Sequence, residues 1–252
     1  HKDQTSTQDE LVQVIEHTLH VQGGNVIVPA FAVGRTQEIL YHLHQLTREG
    51  RLRGLKIFVD SPMATEATRI TIQHLELFDE AATQLADWRI AGKGLPYLHF
   101  TASVEESMAL NRMRSGAIII SASGMCDAGR IKHHLRHNLD RPECSILITG
   151  FQAQGTLGRR LVDGAKRVRI FGEEIDVRAS IHTVGGLSAH ADQPALLAWT
   201  ANFRHPPQQT FVVHGETSSA LAFAEKLHAE RGWNVVAPEP GQNVSWPAHG
   251  ED

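Results

Sequence analysis

Asn25-Val-Ile-Val-Pro29-Ala-Phe-Ala-Val-Gly34-Arg35-Thr-Gln-Glu38-Ile-Leu40 begins as an apolar run, turns between Pro29 and Gly34, and continues at helical spacing to Leu46. A short apolar run bounded by turn residues reads as a strand, and the longer periodic stretch after it as a helix. The same unit recurs along the chain. Lys56-Ile-Phe-Val-Asp60 leads into a helix from Pro62, and residues 95–100 lead into a helix opened by the capping box Ser103-Val-Glu-Glu106. Ala117-Ile-Ile-Ile-Ser121 and Ser145-Ile-Leu-Ile-Thr149 are unbroken apolar runs. Parallel strands covered by helices on both faces have that pattern, because neither face meets water. Repeated βα units built on such strands predict an α/β fold with a doubly wound, mainly parallel sheet.

Outside this run the pattern changes in both directions. Upstream, Thr7-Gln-Asp-Glu10 reads as a capping box, Leu11, Val14, Ile15 and Leu19 share one helical face, and Gly23-Gly24 ends the helix. Downstream, residues 167–171 and 175–184 read as a β-hairpin about the turn Gly172-Glu173-Glu174, which marks a boundary. A helix near 192–202, the Pro206-Pro207 loop, a strand running into His214, a helix over 218–231 and a strand over 234–237 follow. That stretch of roughly 65 residues is small for an independent domain and is expected to complete a sheet begun elsewhere.

Composition bounds the function. The 252 residues are 41% hydrophobic, enough for a substantial core, and the formal charge of −4 excludes bulk basicity as a mode of nucleic-acid binding. Any RNA contact must be local. Two cysteines, Cys126 and Cys144, are too few for a disulfide framework and suit a reducing cytoplasm. The sequence has neither an apolar run long enough for a membrane span nor a signal peptide at its start, and the absence of an initiator methionine suggests a piece of a longer protein. Of the histidines, His17, His20, His42, His44, His74 and His228 fall in helical patterns, and most are expected to be solvated.

Several strand-end segments have residues suited to chemistry. Asp60-Ser61-Pro62 reads either as a helix N-cap with proline in the first turn or as a substrate contact. Ser121-Ala-Ser123-Gly124-Met125 ends a buried strand and leads through Asp127-Ala-Gly129 into a helix carrying Arg130, Lys132 and Arg136. Small residues, a helix N-terminus and three cations form a candidate phosphate site, the rival being an ordinary solvated helix. His133 and His137 have the i, i+4 spacing of a metal clip but lack the accompanying glutamate, so a solvated or RNA-facing helix is preferred. Residues 150–158 resemble a phosphate cradle only loosely. Ile181-His-Thr-Val-Gly-Gly-Leu-Ser-Ala-His190-Ala-Asp192 sets a histidine between a Gly-rich turn and a helix start, and Phe211-Val-Val-His214-Gly-Glu216 sets another at a strand end. Loops of this kind hold functional side chains on a rigid frame. Zinc catalysis needs three or four protein ligands, and nothing else in the chain supplies a cluster such as HxHxDH.

Taken in order, residues 27–38, Val59-Asp60-Ser-Pro-Met63, residues 120–125, residues 150–157 and the two histidine segments resemble the β-CASP nucleases of the metallo-β-lactamase superfamily. The wording at Gly129-Arg-Ile-Lys-His-His134 is most similar to the bacterial and archaeal RNA-processing branch. The resemblance implies a β-CASP domain over residues 1–182, inserted into a metallo-β-lactamase αββα domain whose C-terminal segment is residues 183–252. It implies His214 as a ligand to one of two zinc ions, and His190 as the acid that assists departure of the 3′-oxygen. The expected RNA-facing residues are Arg35, Asp60, Ser61, Ser121, Ser123, Gly124, Arg130 and Arg136. The implied activity is zinc-dependent hydrolysis of RNA phosphodiesters, as an endonuclease, with most metal ligands upstream of His1 and the isolated chain inactive. A non-catalytic RNA-binding or scaffolding paralogue is the rival. Expected partners are RNA, the N-terminal half of the metallo-β-lactamase domain and, in a homodimer, a second copy.

Overall fold

A computed structural model describes residues 4–77, 95, 97–187 and 190–245. The chain divides into two compact units, His1–Ser188 and Ala189–Asp252. In the first, α1 (Gln4–Glu16) runs on into a π-helical turn (His17–Gln22), followed by β1 (Val26–Pro29), α2 (Arg35–Arg48), β2 (Lys56–Val59), α3 (Pro62–Gln73) and β3 (Leu98–Phe100). Next come α4 (Val104–Leu110), β4 (Ala117–Ser121), α5 (Ile131–Asn138), β5 (Ser145–Ile148), α6 (Leu157–Val162), β6 (Arg167–Ile170), β7 (Glu173–Asp176) and β8 (Ser180–Thr183).

Six strands form one parallel sheet in the order β3-β2-β4-β1-β5-β8. Alternation along each strand explains the unbroken apolar runs. Val26, Val28, Ile118, Ile120, Ile57 and Val59 pack on Leu11, Ile15, Leu40 and Leu43 of α1 and α2. Ile27, Ile119, Ile146 and Ile148 turn to the other face, against Ile131, Leu135 and Leu161. The predicted doubly wound architecture is therefore present, and all six strands point their carboxyl ends at one rim.

Polar bonds fix the opposite end of the sheet. Buried Asn25 donates through Nδ2 to the Met113 carbonyl (2.9 Å) and accepts at Oδ1 from the Ala117 N–H (3.2 Å). Gly23 caps the first helix in the left-handed conformation (φ +70°), and at Gly24 a Cβ would lie 1.8 Å from the Glu143 carbonyl oxygen, so the chain passes there only without a side chain.

Three expectations need correcting. Thr7 lies inside α1 and is buried, not at its N-terminus, because the helix already covers Gln4. Residues 175–184 do not form one hairpin arm. The hairpin closes as β6 against β7, and β8 crosses to pair in parallel with β5, since Val177, Arg178 and Ala179 bond to Lys166 and Leu139 carbonyls and redirect the chain. The strand expected over 95–100 is restricted to Leu98–Phe100, with residue 96 outside the described set. Most of the helical histidines are solvated, as expected: His17, His20, His74 and His228 are exposed, and only His42 and His44 of the six are buried.

The second unit contains α7 (Gln193–Thr200), β9 (Thr210–Phe211), α8 (Thr217–Arg231) and β10 (Val235–Val236). β9 and β10 pair in parallel as a two-stranded sheet. Phe203 meets Trp199 and Trp233 edge-on at 5.3 and 5.2 Å, and Arg231 donates to the Leu197 carbonyl (3.0 Å), tying α8 to α7. No helix among the described residues is long and apolar enough to cross a membrane.

Candidate nucleic-acid interface

Asp60 leaves the carboxyl end of β2 and is fully buried. Its Oδ1 accepts from Thr101 Oγ1 (2.5 Å) and Arg130 Nη1 (2.7 Å), and its Oδ2 from Ser107 Oγ (2.6 Å), with His134 Nε2 also at 2.6 Å. Ser121 Oγ donates to the Asp60 carbonyl at 2.8 Å. One carboxylate thus gathers side chains from the end of β3, from α4, from α5 and from the residue before it, and the Asp60 carbonyl adds the end of β4. Burial by itself would raise the pKa of Asp60, but the bonds from His134, Ser107, Thr101 and Arg130 outweigh it and hold the group well below the usual carboxylate range. With both oxygens doubly engaged, Asp60 positions the rim from beneath and is not itself presented to a ligand. Ser61 is the N-cap of α3, accepting from the Ala64 N–H at 3.3 Å with Pro62 in the first turn, as one of its two readings required.

The loop after β4 is knit to its neighbours. The Gly124 carbonyl accepts from Gln152 Nε2 (2.9 Å), and a Cβ on Gly124 would approach Phe31 within 2.9 Å. Gly158 is equally constrained, since a Cβ there would overlap Gln152 Oε1 at 1.7 Å. Three peptide N–H groups of this loop and helix start are used internally: Ile131 donates to Ala122, Lys132 to Gly129 and Ser123 to Ala128. At the start of α6 the Asp127 carboxylate accepts from the Leu157 N–H at 2.9 Å and takes the place a phosphate would need. Those donors are therefore not offered to an anion, because the loop and the helix start bond to themselves.

The cations are also committed. Arg130 reaches back to Asp60, and Arg136 forks onto Glu173 of β7 with bonds of 2.9 and 2.8 Å. Arg35 pairs with Glu38 (2.5 Å) and donates to the Leu187 carbonyl. Lys132 holds its ammonium 5.0 Å from the centre of the Phe171 ring. Ser121 and Gly124 are buried, whereas Ser123, Arg130, Lys132 and Arg136 are partly exposed.

His134, Thr101 and Ser107 were not singled out by sequence. The available signal was weak: His134 shares the buried stripe of α5 with Ile131, Leu135 and Asn138, where a polar residue needs a partner. His133 and His137, by contrast, are exposed, and His133 lies against Phe171.

His190 and His214 both lie in the second unit and are exposed. His190 precedes α7, whose N-cap Asp192 accepts from the Ala195 N–H at 3.0 Å as its sequence implied. His214 follows β9 in the left-handed conformation (φ +63°). Zinc requires three or four protein ligands, and among the described residues no three His, Cys, Asp or Glu side chains converge. These residues do not by themselves make a zinc site.

Two protein families match the chain. The Beta-Casp domain family matches residues 36–161, and the Zn-dependent metallo-hydrolase RNA specificity domain matches residues 174–238. β8 lies within the second match yet hydrogen-bonds in the sheet of the first unit. The chain is 38% identical over 248 residues to ribonuclease TTHA0252 of Thermus thermophilus, covering 97% of this chain and 55% of that protein. It is 34% identical over 243 residues to transcription termination factor FttA of Thermococcus kodakarensis (92% of this chain, 36% of the relative). An RNase J-like protein of Methanocaldococcus jannaschii is 32% identical over 215 residues, covering 85% of this chain and 48% of the relative. The chain thus spans between 36% and 55% of the length of these relatives.

Proposed function

The chain belongs to the β-CASP family of metallo-β-lactamase-type RNA nucleases, and from that premise we propose that it is the β-CASP domain and returning C-terminal segment of a zinc-dependent RNA phosphodiester hydrolase, acting as an endonuclease in RNA processing or decay. The observation that carries the reading is the order of the two family matches, with His190 and His214 both on exposed loops of the unit that the RNA specificity domain covers. His214 supplies one metal ligand and His190 the general acid. The remaining ligands come from outside these 252 residues, so this chain alone neither holds a zinc pair nor cleaves RNA. RNA is the proposed substrate, and the ribonuclease named among the relatives supports that choice.

The test uses the longer protein. His214→Ala is expected to lower zinc content together with turnover. His190→Ala is expected to retain the metal and lower turnover by about 100-fold to 10,000-fold, the range for loss of a general acid. Loss of zinc in His190→Ala with full zinc in His214→Ala would reverse the assignment. About two tightly held zinc ions in the isolated chain would overturn the division of ligands, because a lone histidine cannot hold them.

A further inference from the structure

The hairpin β6–β7 closes through a two-residue loop, Phe171-Gly172, between the paired residues Ile170 and Glu173. Both loop residues have positive φ, +52° at Phe171 and +83° at Gly172. Two-residue hairpin loops with positive φ at both positions favour Asn-Gly or Asp-Gly, since asparagine and aspartate tolerate the left-handed region. A bulky aromatic residue there is an outlier that local structure does not explain.

Core packing does not explain it either. Val168 and Ile170 of the same hairpin are buried in the core, but Phe171 is 48% exposed. Its ring lies 4.6 Å from that of exposed His133, inclined at 33°, with the Lys132 ammonium 5.0 Å from its centre. Lys132 and His133 form the first turn of α5, directly after Arg130, so this aromatic patch adjoins the rim held by Asp60. On β6, exposed Arg169 adds a further cation, 3.8 Å from Glu174.

We propose that Phe171, backed by His133, is a stacking platform for one unpaired nucleobase of a single-stranded RNA segment, with Lys132 taking the adjoining phosphate. The proposal rests on the RNA reading above and adds a base contact to it. A flat exposed ring beside flexible cations is how proteins hold single strands without reading sequence: the ring accepts any base face and the ammonium follows the backbone. The hairpin turn fixes the ring at the end of a short, rigid β-ribbon, so little freedom is lost on binding.

The experiment measures equilibrium binding of the full-length protein, with chelator present to keep the strand intact, to a 12-nucleotide oligoadenylate and to the same strand with abasic sites. Phe171→Asn removes the ring while supplying a residue the turn favours, so thermal stability is expected to hold or rise. Affinity for oligoadenylate is expected to fall about 5-fold to 150-fold, the worth of one stacked base. The abasic strand should lose nothing from this change, and Phe171→Trp should bind oligoadenylate at least as well as the native protein. Lys132→Ala is expected to lower the salt slope on both strands by roughly 0.7, the value for one phosphate contact. Native protein that binds both strands alike, with Phe171→Asn unchanged, overturns the platform and leaves the RNA reading standing. Native protein that binds neither strand at low salt overturns the RNA reading itself and the platform with it.

Discussion

Replacing Asp60 with alanine removes one acceptor from four donors at once: Thr101, Ser107, Arg130 and His134. Arg130 can recover hydration because it is partly exposed, but His134 is fully buried and would face a cavity. Breaking a buried, hydrogen-bonded charge pair costs about 3–5 kcal/mol. For a chain of this size each kcal/mol lowers Tm by about 2–4 °C, so a fall of about 6–20 °C is expected by far-UV circular dichroism. Asp60→Asn keeps the volume but loses the charge and sets an amide N–H2 against a donor, so it is expected to recover only part of the loss. Asp163→Ala is the control: its exposed i, i+4 pair with Arg159 (2.8 Å) is worth about 0.3–0.5 kcal/mol. The pH dependence carries a sign. A carboxyl whose native pKa is depressed stabilises fully above its unfolded value, about 3.9, and loses that contribution as pH falls through the native value. The share of the alanine penalty that depends on ionised Asp60 therefore shrinks below about pH 4. An alanine variant melting within about 2 °C of the native protein at pH 7 would refute the claim that this carboxylate organises the rim.

Gly24→Ala puts a Cβ 1.8 Å from a backbone oxygen that cannot swing away, whereas Gly23→Ala meets open space and costs only its left-handed φ. Chemical denaturation is expected to give a loss of about 1–3 kcal/mol or more for the first and about 1 kcal/mol for the second, and equal losses would contradict the close approach. Burial, with Asp127 nearby, pushes the Cys126 thiol up to about 12, and burial raises Cys144 as well. Iodoacetamide at about pH 8 is expected to label neither while the protein is folded and both once it is unfolded, since only thiolate reacts. Rapid labelling of Cys126 in the folded state would be incompatible with its placement.

The middle of the central sheet was legible because β1, β4 and β5 are buried along their whole length, and the apolar run Val26-Ile27-Val28 serves both helical layers. Caps at Ser61, Ser103 and Asp192 were legible because the capping side chain bonds three residues ahead. The organisation of the rim was not. Asp60 and His134 are 74 positions apart, and Arg136 and Glu173 are 37 apart. Sequence marks these residues as charged but carries no local sign of which charge each will meet. The cations of α5 were read as a free basic face for that reason, when carboxylates and an aromatic ring had already engaged them. The hairpin was misplaced for a related reason: Val177 to Val184 is apolar enough for either sheet, and only the bonds to Lys166 and Leu139 decide.

Phe31, Gly124 and Gln152 come from the loops after three adjacent strands and Gly158 from the first turn of α6, yet they meet closely. A larger residue at Gly158 requires the Gln152 side chain to turn aside or to be shorter, and either disturbs the amide that holds the Gly124 carbonyl. A change at one of these four positions is therefore expected to be felt at the others, although as many as 127 positions of chain separate Phe31 from Gly158.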